Sequence, residues 1–208
     1  MLSRLLRRWL PPPIESRRDL IGFLDQRAAL VAQQSVVGYC HVKTGLILKE
    51  LNCEPEFARA FEVSRWEAYA AVLADLVVLT EGRLRSTAGS RASELVAALT
   101  DLFAAVLAGH TLPAHRAAGW SAEIAALRDR LARAQLAEPM PAVKVAEASA
   151  SRLYETLPIH PDLRVRDKPA LLANVRFRIL GQCDEFDRRL DAPAVVADLL
   201  GAASPGGA

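Results

Sequence analysis

Twelve prolines divide this chain of 208 residues, and between them apolar residues recur at helical spacing. Proline lacks an amide hydrogen and drives the residue before it out of the helical region, so no helix passes through one undisturbed. Pro11-Pro12-Pro13, Pro55, Pro139, Pro141, Pro158, Pro161, Pro169 and Pro193 therefore set boundaries. Between them, 37 alanines and 31 leucines supply strong helix formers. A period-2 strand pattern competes only within residues 36–51. The expected fold is all-α, a single-domain bundle of roughly six to eight helices.

Ser16, with Asp19 three residues on, marks a helix start, and Leu20, Leu24, Ala28, Val31, Ser35, Gly38 and Val42 continue one face until Gly45. The rival for this stretch is a hairpin in which VVGYCHV and LILKEL turn at Thr44-Gly45; the long helix is preferred. Pro55 opens a second helix, expected to stop at Gly82 before a polar loop over 83–90. Further helices are expected over 91–108, 121–137 and about the stripe Val143–Leu157. Asp167 is placed to cap a helix carrying Leu172, Val175, Ile179, Cys183, Phe186 and Leu190, and Pro193 starts a last one through Leu200. The organisation is thus a helix and proline spacer over 1–13, an all-α domain over 14–200 and a small-residue tail over 201–208, expected to be disordered.

Charge is unevenly placed. Residues 1–18 hold five arginines against Glu15, a net of +4, and the other 190 residues carry 21 basic and 23 acidic side chains, a net of −2. A near-neutral body argues against a general nucleic-acid-binding face. Three cysteines without a Cys-x-x-Cys pair fit a reducing compartment. Ser16-Arg17-Arg18 looks like the start of a twin-arginine export signal, but Asp25, Gln26 and Arg27 interrupt the apolar stretch such a signal needs. The expected location is cytoplasmic, peripheral on the inner face of the membrane.

Motifs of established chemistry are missing: there is no GxGxxG, Walker A, HExxH, GxSxG or paired CxxC. Cys40, His41, Cys53, His110, His115 and His160 match no zinc spacing, so neither metal nor cofactor is expected. Asp75 is the one carboxylate in the apolar run from Ala68 to Leu79 and, if buried, requires a partner such as arginine. Arg27, Gln34 and His41 recur every seven residues as a polar line. Arg27, His41 and Asp75 form the candidate pocket of a small-molecule-binding protein or enzyme. Residues 54–85 offer a different alternative, a helix-turn-helix regulator turning at Val63-Ser64-Arg65. Against it stand Glu62 at the usual turn glycine and Glu67 on the recognition helix, facing phosphates.

Residues 1–10, MLSRLLRRWL, carry the most informative pattern. Wound as a helix, Leu2, Leu5, Leu6 and Trp9 form an apolar stripe flanked by Arg4, Arg7 and Arg8. That arrangement suits a helix lying in the interface of an anionic membrane, or one docked on a protein partner or on the chain's own body. Residues 28–45, AALVAQQSVVGYCHVKTG, and 64–76, SRWEAYAAVLADL, resemble an uncharacterised family of bacterial all-helical proteins. The resemblance lies within residues 1–80 and implies packed helices, with no activity, cofactor or catalytic residue to carry over. Together these readings favour a non-enzymatic accessory, assembly or interaction protein attached through its N-terminal segment.

Overall fold

The computed structural model describes residues 11–201. Among them the chain is all-α, with seven helices of nine residues or more, two single-turn helices, four 3-10 turns and no strand. The helices are α1 (Arg17–Thr44), α2 (Leu48–Leu51), α3 (Pro55–Ala88), α4 (Glu94–Ala108), α5 (Ser121–Ala134), α6 (Ala142–Val145), α7 (Glu147–Thr156), α8 (Lys168–Arg189) and α9 (Ala192–Leu200). Residues 1–10, including the stripe from Leu2 to Trp9, and residues 202–208 lie outside the described residues.

Ser16 caps α1: its hydroxyl oxygen accepts from the Asp19 amide at 3.1 Å and donates to Asp19 Oδ2 at 2.6 Å. Gly45 ends the helix at φ +58°, where its amide donates to the His41 carbonyl and where a side chain would be strained. The helix therefore prevails over the hairpin. Val36–Val42 lie inside α1, and the residues after Gly45 form a 3-10 turn and α2.

α3 departs from expectation in running on through Gly82 to Ala88, where a polar loop was anticipated. Burial supplies the reason. Leu84 is fully enclosed, Ala88 is buried, Arg83 pairs with Asp187 of α8, and Arg85 pairs with Glu81 one turn back. Gly82 serves as a contact point there, since a Cβ at this position would lie 3.2 Å from the Pro139 Cβ. Glu62–Arg65 also lie within α3, so the turn required by a helix-turn-helix does not exist.

α3 is the axis of the molecule, packed against α1, α4, α5, α6, α7 and α9. One core joins Phe23 and Val31 of α1, Leu73 and Val77 of α3, Leu99 and Phe103 of α4, Leu131 of α5, Leu153 of α7, Ile179 of α8 and Val195 of α9. α8 lies antiparallel beside α1, as three successive pairs show: Arg27 with Glu185, Gln34 with Arg178, and Tyr39 with Asp167. The chain entering α1 is clipped to the corner between α8 and α9. Ile14, fully buried, donates from its amide to the Arg189 carbonyl at 2.8 Å and accepts from the Asp191 amide at 2.9 Å. Arg189 Nε also donates to the Pro12 carbonyl at 2.8 Å.

Two glycines in helix interiors should respond oppositely to substitution. A Cβ at Gly38 meets nothing within 4 Å, so Gly38→Ala should stabilise by about 0.5–1 kcal/mol, raising Tm by roughly 2–4 °C per kcal/mol. Gly82→Val should lower Tm, because its branched side chain drives into Pro139. Thermal unfolding followed by circular dichroism measures both; a stabilising Gly82→Val would refute the close packing.

Candidate functional site

The charged chemistry of the interior is concentrated in three carboxylates of α3. Glu67, 4% exposed, accepts from Arg116 Nε at 2.6 Å and Nη2 at 2.5 Å, from Arg152 Nη2 at 2.6 Å and Nε at 3.0 Å, and from His115 Nε2 at 2.8 Å. Asp75, 0% exposed, accepts from Arg130 Nη1 at 2.6 Å and from the Ser149 amide at 3.1 Å. Glu81 accepts a fork from Arg85 and a bond from Gln135 Nε2, while Arg85 also caps the Ala134 and Ala137 carbonyls at the end of α5.

Burial pushes the Glu67 carboxyl up, and the bonds from Arg116, Arg152 and His115 more than reverse this, leaving it at about 2 against a usual 4.5. Complete burial raises Asp75 above the ordinary range, opposed by Arg130 and by the Ser149 amide. These groups bind one another and align α5 and α7 on α3.

The expected trio of Arg27, His41 and Asp75 is not assembled. Arg27 reaches across to Glu185 on α8 at 2.5 Å, His41 is exposed on α1, and Asp75 faces Arg130 of α5 and Ser149 of α7. Each is engaged by a different neighbour: Arg27 turns towards α8, whereas Asp75 turns towards α5 and α7. A different cluster does form, in which Tyr69 Oη and His110 Nε2 stand 2.6 and 2.9 Å from Asp25 Oδ1 and 3.0 Å from each other. Burial and the Asp25 carboxylate push the Tyr69 phenol upward, so it remains a neutral donor. Cys40 is fully buried and its thiol is pushed up to about 12, which makes it a poor nucleophile at neutral pH. Among the described residues, no group of three histidine, cysteine or acidic side chains is placed to hold a metal ion.

A trough of about 500 Å³ lies between α1 and α8. Its floor is made of small groups, Ser35 and Gly38 on α1 and Ala170 on α8, with Val42 and Leu171 adding apolar wall. Ser35 is 3% exposed, and its hydroxyl has no hydrogen-bond partner among the described residues. At one end, Asp167 occupies the N-cap position of α8 but spends its carboxylate on Tyr39 Oη at 2.7 Å and Lys43 Nζ at 2.5 Å. At the other end, Arg178 is held by two neutral amide oxygens, Asn174 Oδ1 at 2.7 Å and Gln34 Oε1, and by no carboxylate among the described residues. Gln34 belonged to the polar line visible in the sequence. Ser35 and Gly38 read there as part of an apolar face, and nothing local revealed that α8 would lie across them.

Beyond the Lys43 end of the trough, apolar side chains reach solvent. Val42 is 81% and Leu46 95% exposed, joined by Ile47 and, from the segment before α8, by Leu163 and Val165. Lys43 Nζ ties the two segments together by donating to the Leu163 carbonyl at 2.8 Å. No helix among the described residues is long and apolar enough to cross a membrane.

Comparisons with protein families, with curated proteins and with solved structures find no match for this chain. The resemblance read in residues 28–45 and 64–76 therefore contributes the expectation of packed helices alone.

The Glu67 cluster predicts a specific acid response. Since the folded carboxyl lies below its unfolded value, the stabilisation is complete above about pH 4.5 and is lost as pH falls towards 2, on the order of 3 kcal/mol in all. Glu67→Gln should be less stable at pH 7 and should lose stability less steeply between pH 4.5 and 2 in urea melts. Equal slopes in the two proteins would show that Glu67 is not the group responsible.

Proposed function

We propose that this is a non-enzymatic accessory or assembly protein, held peripherally at an anionic membrane surface through residues 1–10, with a protein partner as the other target of that segment. The observation carrying this reading is the placement of two ends. The chain from residues 1–10 enters the body at a fixed mount, Ile14 locked between Arg189 and Asp191, preceded by three exposed prolines. The cluster of Val42, Leu46, Ile47, Leu163 and Val165 lies at the opposite end of α1, a 28-residue helix about 40 Å long. The mount at Ile14 and this apolar cluster are thus held apart by the length of α1.

Glu67, Asp75 and Glu81 are each engaged by arginine within the fold. Residues 1–10 supply what interfacial attachment requires: Arg4, Arg7 and Arg8 for anionic headgroups, and Leu2, Leu5, Leu6 and Trp9 for the acyl boundary. Each arginine near such a surface contributes about 1 kcal/mol.

Sedimentation of the full chain with phosphatidylglycerol vesicles tests the attachment. The wild type should co-sediment at low salt and be released as salt rises. Arg4→Glu, Arg7→Glu and Arg8→Glu combined should weaken binding about a hundredfold or more, the outcome expected from losing about 1 kcal/mol per arginine at three positions. Leu5→Ser with Trp9→Ser should abolish it. Binding that ignores both variants, or no binding by the wild type, would remove the membrane role and leave the partner as the target of residues 1–10.

A further inference from the structure

We infer that the trough between α1 and α8 is a binding site for a medium-chain organic carboxylate, an amphipathic monoanion whose head pairs with Arg178 and whose chain lies over Gly38 and Ala170. This goes beyond the attachment proposed above and does not depend on it.

The volume, about 500 Å³, falls within the roughly 300–1,000 Å³ typical of small-molecule sites. The lining is mainly apolar, from Val42, Ala170 and Leu171, and a Cβ built on Gly38 would meet nothing within 4 Å. The backbone of α1 is thus directly accessible along the floor. From Arg178 to Ala170 the trough runs about 12 Å along α8, matching an alkyl chain of roughly eight to ten carbons.

One polar feature makes the ligand specific. Arg178 is oriented by Asn174 and Gln34, both neutral, so its charge is positioned without being neutralised. A guanidinium held by amide oxygens keeps further N–H groups for an incoming carboxylate, the anion its planar fork fits best. The Lys43 end is different in kind, because Asp167 already compensates that cation. The anionic head therefore belongs at Arg178 and the chain points towards Val42.

The test titrates the isotope-labelled full chain with decanoate and, separately, with decanol, following amide shifts by NMR. Decanoate should give saturable shifts centred on Ser35, Gly38 and Ala170, with decanol about tenfold weaker, as expected when a charged hydrogen bond is lost. Arg178→Gln should weaken decanoate about tenfold and leave decanol unchanged. Gly38→Leu should abolish binding of both by filling the trough. Gly22→Leu on the same helix, where a Cβ likewise meets nothing, should leave binding intact and controls for an added leucine in α1. Equal affinities for decanoate and decanol, shifts centred elsewhere, or undiminished binding by Gly38→Leu would each overturn the proposal. So would trough shifts that depend on protein concentration without ligand, which would make this face a contact between two copies.

Discussion

A carboxyl group buried among leucines is tolerable only if the fold brings hydrogen-bond donors to it, and α3 makes that demand at Glu67, Asp75 and Glu81. Much of the architecture around α3 answers it. α5 has just Leu127 and Leu131 buried, too little apolar surface to position a helix of 14 residues by itself. Arg116 before it, Arg130 within it and Gln135 after it engage the three carboxylates in order along α3. A slide of α5 by one turn would separate Arg130 from Asp75 and Gln135 from Glu81 together. These polar clasps thus specify register, where apolar packing alone would leave neighbouring registers similar in energy. α7 is bound into the same scheme through Arg152 and the Ser149 amide.

The two halves of the molecule are held differently. α3, α5 and α7 are joined by buried charge, whereas α1 and α8 meet through Phe23 on Phe186 and through partly exposed pairs such as Arg27 with Glu185. Exposed pairs contribute little to stability. Small side chains on facing surfaces, Gly38 and Ala170, leave space unfilled between the second pair of helices. Rigidity on one side and a concavity on the other follow from the same distribution of residue types.

Much of this was legible in the sequence, for local reasons. Ser16 with Asp19, Gly45 and Pro55 mark boundaries through backbone chemistry that neighbours within four residues decide, and those boundaries hold in the structure. Gly82 misled because a glycine in a helix can be a stop or a point of close approach, and Pro139, 57 positions away, settles which. Asp75 announced its need for a cation from its apolar surroundings, but nothing distinguished Arg130 from the other arginines. Glu67 was less legible still: Arg116 and Arg152 reach it from 49 and 85 residues away. The trough escaped notice because Ser35 and Gly38 are unremarkable on a helix face until α8 lies beside them.

The clip at Ile14 bears on how the chain is made. Its partners Arg189 and Asp191 are synthesised some 175 residues later, an interval of roughly ten to thirty-five seconds at ordinary translation rates. Throughout that time α1 can form and meet α3, but its leading edge has nothing to close against. The backbone pairing at Ile14 waits until the corner between α8 and α9 arrives. The N-terminal edge of the described fold is therefore among the first parts to be made and among the last to close.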